Sequence, residues 1–199
     1  MNIYASEKTN RILMGWEVPA SWFQSLNAMF IIFLGTSVAA YWAKKKLQGK
    51  LSTSLFKMIL GLIIMGTGFF FMSAAASQFE SNGSSAMYWL VLAYLLHTTG
   101  ELCLSPVGLS AVTKLSVPRI VGLMMGTWFL ATAYSEFMAA QIAKLAALEV
   151  SKDEQLINIT ETLANYTQLF SALFWIGCGA GILLLVVSPY LKKHMHGIQ

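Results

Sequence analysis

Charge is scarce in this chain. Only 11% of its 199 residues are Asp, Glu, Lys or Arg, against about 25% in an ordinary water-soluble domain. Cysteine is scarcer still: Cys103 and Cys178 are too few for a disulfide framework and wrongly spaced for a metal site. Both read as small core residues. Also missing are a nucleophile elbow, a phosphate loop and any pair of carboxylates on one helical face, so an enzyme is not expected. Residues 1–19 are polar and mixed in charge, with no apolar stretch behind a basic start, so neither is a cleaved signal peptide. The net charge of +4 could suit nucleic acid, but the basic residues gather at the ends of apolar runs and make no single patch. No nucleic-acid partner, metal or cofactor is expected, and the tail pair His194 and His196 reads as a solvated end.

What is plentiful is unbroken apolar sequence, with 56% of residues hydrophobic. Five blocks exceed the roughly 20 residues that a spanning helix needs. They cover about 20–43, 54–78, 86–113, 120–148 and 166–191. None alternates as a barrel strand would, so the spans must be helices, which satisfy their own backbone groups. The expected fold is an all-α membrane protein. A five-helix transmembrane bundle over 20–191 is preceded by an outer N-terminal segment, 1–19, and followed by a cytoplasmic tail, 192–199.

The loops alternate in charge. Lys44, Lys45, Lys46 and Lys50 fill the first, and 114–119 is basic again through Lys114 and Arg119. The second loop holds only Glu80, and the fourth is acidic on balance: Glu149, Lys152, Asp153, Glu154 and Glu161. With Lys192 and Lys193 in the tail, the positive-inside rule puts the C-terminus in the cytoplasm and the N-terminus outside. Trp16, Trp22, Tyr88, Trp89 and Tyr166 would lie in the outer interfacial belt, Tyr41, Trp42 and Tyr190 in the inner one. An odd span count with an outside N-terminus suggests a piece of something longer.

Two carboxylates fall at membrane depth. An ionisable side chain there costs about 2.5–3.5 kcal/mol on insertion scales and usually faces a wet cavity or a pathway. Glu101 lies about 22 Å along its span, and His97, Glu101 and Ser105 follow at i, i+4 and i+8, making one stripe. Pro106 should bend the helix just beyond, while Gly100 and Gly108 allow close approach. Glu101 reads as a ligand or proton site ahead of a buried, protonated, hydrogen-bonded acid; His97 alone fits an interhelical hydrogen bond. Glu136 is open between a second titratable site and such a bond. Gln24 and Asn27 share a face of the first span, as helix-binding amides or as groups offered to a polar ligand. Trp128 is too deep for the belt and reads first as packing. Gly122–Gly126 and Gly177–Gly181 have the spacing of tight helix contacts within a bundle.

Three stretches carry a resemblance: Pro19-Ala-Ser-Trp-Phe-Gln-Ser-Leu-Asn27, Gly100-Glu-Leu-Cys-Leu-Ser-Pro-Val-Gly-Leu-Ser110 and Gly122-Leu-Met-Met-Gly-Thr-Trp-Phe-Leu-Ala-Thr132. Together they resemble the C-terminal half of the proton-dependent oligopeptide transporters, a branch of the major facilitator superfamily. The resemblance implies that the five spans are the eighth to twelfth helices of that fold, most of its C-terminal six-helix bundle. The start, Asn2-Ile-Tyr-Ala-Ser-Glu-Lys, looks like the end of the seventh. It further implies that Glu101 and Asn27 meet a peptide's amino terminus with Gln24 nearby in the binding site, that Ser105 lines the pocket and that Trp128 forms an apolar wall. It carries nothing over to Glu136. The implied activity is proton-coupled di- and tripeptide symport in the plasma (inner) membrane, with a proton gradient and no cofactor; by their depth in the spans, Glu101, His97 and Glu136 are the candidate proton-linked groups. The family's Glu-x-x-Glu-Arg motif and its peptide-carboxylate-binding basic residues are absent, so an N-terminal half is expected as partner, beside short peptides and lipid. The alternatives are a non-transporting assembly subunit or truncated product, and a carrier of another small solute such as an amino acid or nitrate.

Overall fold

The computed structural model describes residues 2–7, 9–13, 15–47, 54–151 and 159–194. Lys50, Lys152, Asp153, Glu154 and His196, used above for loop charge and tail, lie outside them. Among the described residues six α-helices make the fold: α1 (Asn2–Glu7), α2 (Ala20–Leu47), α3 (Ser54–Asn82), α4 (Met87–Leu115), α5 (Val121–Ser151) and α6 (Ile159–His194), with a 3-10 turn at Pro118–Ile120 before α5. Among the described residues the strands are two residues each: β1 (Thr9–Asn10), β2 (Ile12–Leu13), β3 (Trp16–Glu17) and β4 (Ser85–Ala86). The protein is an all-α membrane fold.

Within α2, α3, α4 and α6, the segments Ala20–Lys45, Ser54–Phe79, Met87–Leu115 and Thr167–Leu191 are long and apolar enough to cross a bilayer. They match the first, second, third and fifth apolar blocks. The helices run past those blocks, because a block ends where hydrocarbon would end and a helix does not. The fourth block forms the 31-residue α5. It has the length, but Thr127, Trp128, Thr132, Tyr134, Ser135 and Glu136 dilute its apolar run, and it is not among the four.

Glycine sets the packing around α3. A Cβ on Gly100 of α4 would stand 2.7 Å from the Gly61 carbonyl oxygen of α3, and one on Gly61 would stand 2.8 Å from Leu104 Cγ. On the other side, a Cβ on Gly177 of α6 would come 3.0 Å from Gly66 Cα, and one on Gly181 2.9 Å from Ile63 Cγ1. Backbone therefore lies on backbone at both crossings, as small residues allow in a membrane where dispersion and packing drive helix association. The Gly177–Gly181 pair behaves as its spacing suggests. Gly122–Gly126 does not: among the described residues nothing lies within 4 Å of either Cβ position.

One end of the bundle is tied by local polar bonds. Gln78 Oε1 accepts from Ala86 N at 3.0 Å and from Trp89 Nε1 at 2.8 Å, closing the α3–α4 turn. Gly83 makes that turn possible at φ +70°, a region that costs side-chain-bearing residues strain. The N-terminal segment crosses the same end. Its β1 pairs in parallel with β4, with the Thr9 and Ser85 hydroxyls 3.3 Å apart. β2 and β3 form an antiparallel hairpin turning at Gly15, φ +83°. Arg11 stiffens it with Glu17 at 2.6 Å and the Val18 carbonyl at 3.0 Å. Buried Tyr4 of α1 meets Phe170 of α6 edge-on at 5.7 Å, joining the segment to the core beside Phe23, Met72 and Leu90. At the opposite end the Lys57 ammonium lies 5.0 Å from the Trp42 ring centre.

Candidate functional site

The polar residues at depth converge where α2 meets α4. Asn27, half-buried on α2, donates from Nδ2 to Glu101 Oε2 on α4 at 3.5 Å, a long bond at the outer limit of geometry. Its Oδ1 accepts from Thr98 Oγ1 at 2.5 Å. Thr98 is fully buried, and the same hydroxyl also lies 2.8 Å from the Tyr94 carbonyl. One hydroxyl proton cannot serve two acceptors fully, so the two compete. Thr98 and Glu101 stand at i and i+3 on α4 and grip opposite ends of one amide. Glu101 stays half-buried, neither sealed among apolar side chains nor fully exposed. The Gly100–Gly61 crossing sits one residue away and holds the backbone that carries it.

The stripe His97, Glu101, Ser105 is divided in space. His97 turns to α3. Its ring packs against Gly68, lies 4.5 Å from the Phe69 ring and hydrogen-bonds the Met65 backbone. Its Nε2 is buried with no hydrogen-bond partner among the described residues. Glu101 turns to α2, and Ser105 is exposed. Steps of four residues advance 40° around an α-helix, which is enough here to change neighbours. Gln24 is exposed on α2 one turn before Asn27. α4 runs on through Pro106 as one helix to Leu115. Glu136 is exposed on α5 and makes no hydrogen bond or ion pair among the described residues, so the interhelical bond considered for it is not formed there.

Trp128 of α5 lays its indole directly on Gly108 of α4. Any side chain at 108 would occupy the ring's place, so the glycine of the Ser-Pro-Val-Gly run serves as a seat for the indole. Trp128 also walls an apolar cleft of about 360 Å³ between α3, α4 and α5, with Met58, Ala111, Leu115, Ile120 and Met124. The bundle thus offers a carboxylate–amide–hydroxyl cluster and, about two to four turns further along α4, an apolar surface walled by an indole. Among the described residues no group of three or more His, Cys, Asp or Glu could hold a metal ion.

A half-open polar cluster inside the spans of a helical membrane bundle is the arrangement that a solute pathway needs. The POT family model matches residues 1–160, and this chain belongs to the POT family, whose members are transporters and not enzymes. It is 37% identical over 203 residues to Peptide transporter YePEPT of Yersinia enterocolitica, covering 100% of this chain and 37% of that protein. It is 29% identical to Dipeptide and tripeptide permease B of Aliivibrio fischeri, covering 100% of this chain and 40% of the permease. The crystal structure of peptide transporter POT in complex with sulfate superposes with a TM-score of 0.80 at 31% identity, over 96% of this chain and 35% of that one. The chain therefore spans well under half the length of the relatives it matches.

Proposed function

We propose that the chain supplies the amino-terminus side of the binding pocket of a proton-coupled di- and tripeptide symporter. The observation that carries this reading is the Asn27–Glu101 pair, half-open at membrane depth. A carboxylate and an ammonium at 4 Å attract by about 1 kcal/mol in water but about 4 kcal/mol at an effective dielectric of 20. A partly desolvated Glu101 is thus a good receptor for a peptide's positive end, with Asn27 and Gln24 beside it. Ser105 lines the pocket, and Trp128 receives an apolar peptide side chain. The names of the relatives, peptide transporter and dipeptide and tripeptide permease, support the substrate class.

In this reading α5 is the fifth span despite its polar residues, because those residues face a pocket or a second bundle and not lipid. Residues 20–191 form the membrane bundle, in the plasma (inner) membrane, with 1–19 outside and 192–199 cytoplasmic. The proton gradient drives transport without a cofactor, and Glu101, His97 and Glu136 are the acidic or basic groups open to a proton-linked role. A partner half brings the peptide-carboxylate site and the Glu-x-x-Glu-Arg helix, since alternating access needs two bundles rocking about a midplane site.

The test joins the chain to a POT N-terminal half in proteoliposomes and measures uphill dipeptide uptake under a proton gradient. Glu101→Gln keeps the shape and removes the charge. Uptake should fall at least tenfold, the loss of one charge-assisted contact of about 1.5–3 kcal/mol. Uptake and affinity equal to the unmodified protein overturn the role given to Glu101.

A further inference from the structure

The geometry points to Thr98 as a positioning residue that decides which end of the Asn27 amide faces Glu101. An amide is nearly symmetrical in outline, and only its hydrogen bonds tell the oxygen from the nitrogen. At Asn27 one side is the Glu101 carboxyl and the other is the Thr98 hydroxyl. With Thr98 donating to Oδ1, the amide must present Nδ2 to Glu101, and a carboxylate is what an N–H wants there. The Tyr94 carbonyl, 2.8 Å from the same hydroxyl, is the alternative acceptor. When Thr98 donates to Tyr94 instead, its oxygen lone pairs face Asn27. The amide then gains by turning Nδ2 to Thr98 and Oδ1 to Glu101, an arrangement that suits a carboxylic acid O–H. Two complete hydrogen-bond sets therefore fit one outline of heavy atoms, separated by a rotation of the Thr98 hydroxyl, a half-turn of the Asn27 amide and one proton on Glu101. Full burial removes water as a third partner for Thr98, so the choice is between these two sets.

Thr98 thus acts on a bound ammonium group through Asn27 and Glu101 without touching it. This second step rests on the peptide reading above; the relay does not. A threonine that merely satisfies its own helix would bond the carbonyl four residues back and nothing else, as Thr99 does with Leu95 at 2.7 Å. The two possibilities differ in one measurable respect, whether Thr98 and Asn27 are energetically coupled.

The experiment has two arms. In the first, the purified chain in lipid nanodiscs carries Thr98→Val, Asn27→Leu or both, and thermal unfolding is followed for each. A relay makes the double variant melt within about 1 °C of the worse single variant, far from the sum of two shifts. Thr98→Ser, which keeps the hydroxyl, stays near the unmodified chain and guards against a simple packing effect. Additive shifts overturn the proposal. In the second arm, the joined transporter takes up dipeptides with a free or an acetylated amino terminus. Thr98→Val should raise the apparent KM for the free-amino peptide about tenfold, the scale of one hydrogen bond to a charged group, with recovery in Thr98→Ser. Coupled melting with no peptide uptake by the unmodified transporter sinks the peptide reading and leaves the relay standing. Uptake that is unaffected by Thr98→Val overturns the positioning role.

Discussion

At the scale of single residues, placement at depth is what makes a side chain informative. Glu101 and Asn27 were legible because a carboxylate and an amide inside an apolar run have no bland surface role. Thr98 was not. Spanning helices satisfy hydroxyls locally, as Ser37 does with Phe33 at 3.4 Å and Thr99 with Leu95 at 2.7 Å. Nothing in the order of residues separates Thr98 from Thr99 next to it; a rotation of 100° about the helix axis does. The division of His97 from Glu101 was hidden in the same way, since residues four apart share a stripe but not a neighbour. Gly108 offers a residue-scale test. A Cβ there meets three atoms of the Trp128 indole, two of them at 3.0 and 3.2 Å. Gly108→Ala should therefore displace the ring and destabilise the chain by about 1–3 kcal/mol. The same change in a Trp128→Phe background should cost under half as much. Equal costs in thermal melts of the two backgrounds would mean that the ring is not seated on the glycine.

Helices were legible where the apolar run was long, and their packing was legible only in part. Gly177–Gly181 and Gly122–Gly126 have the same spacing, yet one packs on α3 and the other meets nothing among the described residues. Spacing tells which glycines share a face, not whether a partner arrives there. Substitution should separate the two cases. Gly61→Ala pushes a methyl to 2.9 Å from the Gly100 carbonyl oxygen, and backbone cannot step aside as a flexible side chain can. About 1–3 kcal/mol of destabilisation is expected. Gly122→Ala gains helix propensity in open space and should be neutral or stabilising by up to about 1 kcal/mol. Chemical denaturation in mixed micelles measures both, and a reversed order would refute the α3–α4 crossing. The hairpin at β2–β3 and the β1–β4 pair escaped the sequence reading because strands of two residues have no period to detect. Length and composition marked α5 as a block, but its polar residues keep it short of the apolarity that its neighbours reach.

For the whole molecule, orientation in the membrane is the testable consequence of charge placement. Asn82 closes α3 at one end of the bundle, and Arg119 lies at the other, between α4 and α5; both are exposed. With cysteine introduced singly at these positions in intact cells, a membrane-impermeant maleimide should label Asn82→Cys and spare Arg119→Cys until the membrane is opened. The reverse pattern would invert the topology. Native Cys103 is buried and Cys178 lies within α6, so background labelling should be low. The all-helical architecture follows from composition, while the site depends on which faces meet, and that depends on glycine. Side chains that interdigitate can slide by exchanging rotamers. α3 has no such freedom against α4 at Gly61 and Gly100, or against α6 at Gly66 and Gly177. Those three helices therefore meet backbone to backbone between the Gln78 bracket at one end and the level of the carboxylate, whereas α2 and α5 reach α4 through side chains, Asn27 on Glu101 and Trp128 on Gly108.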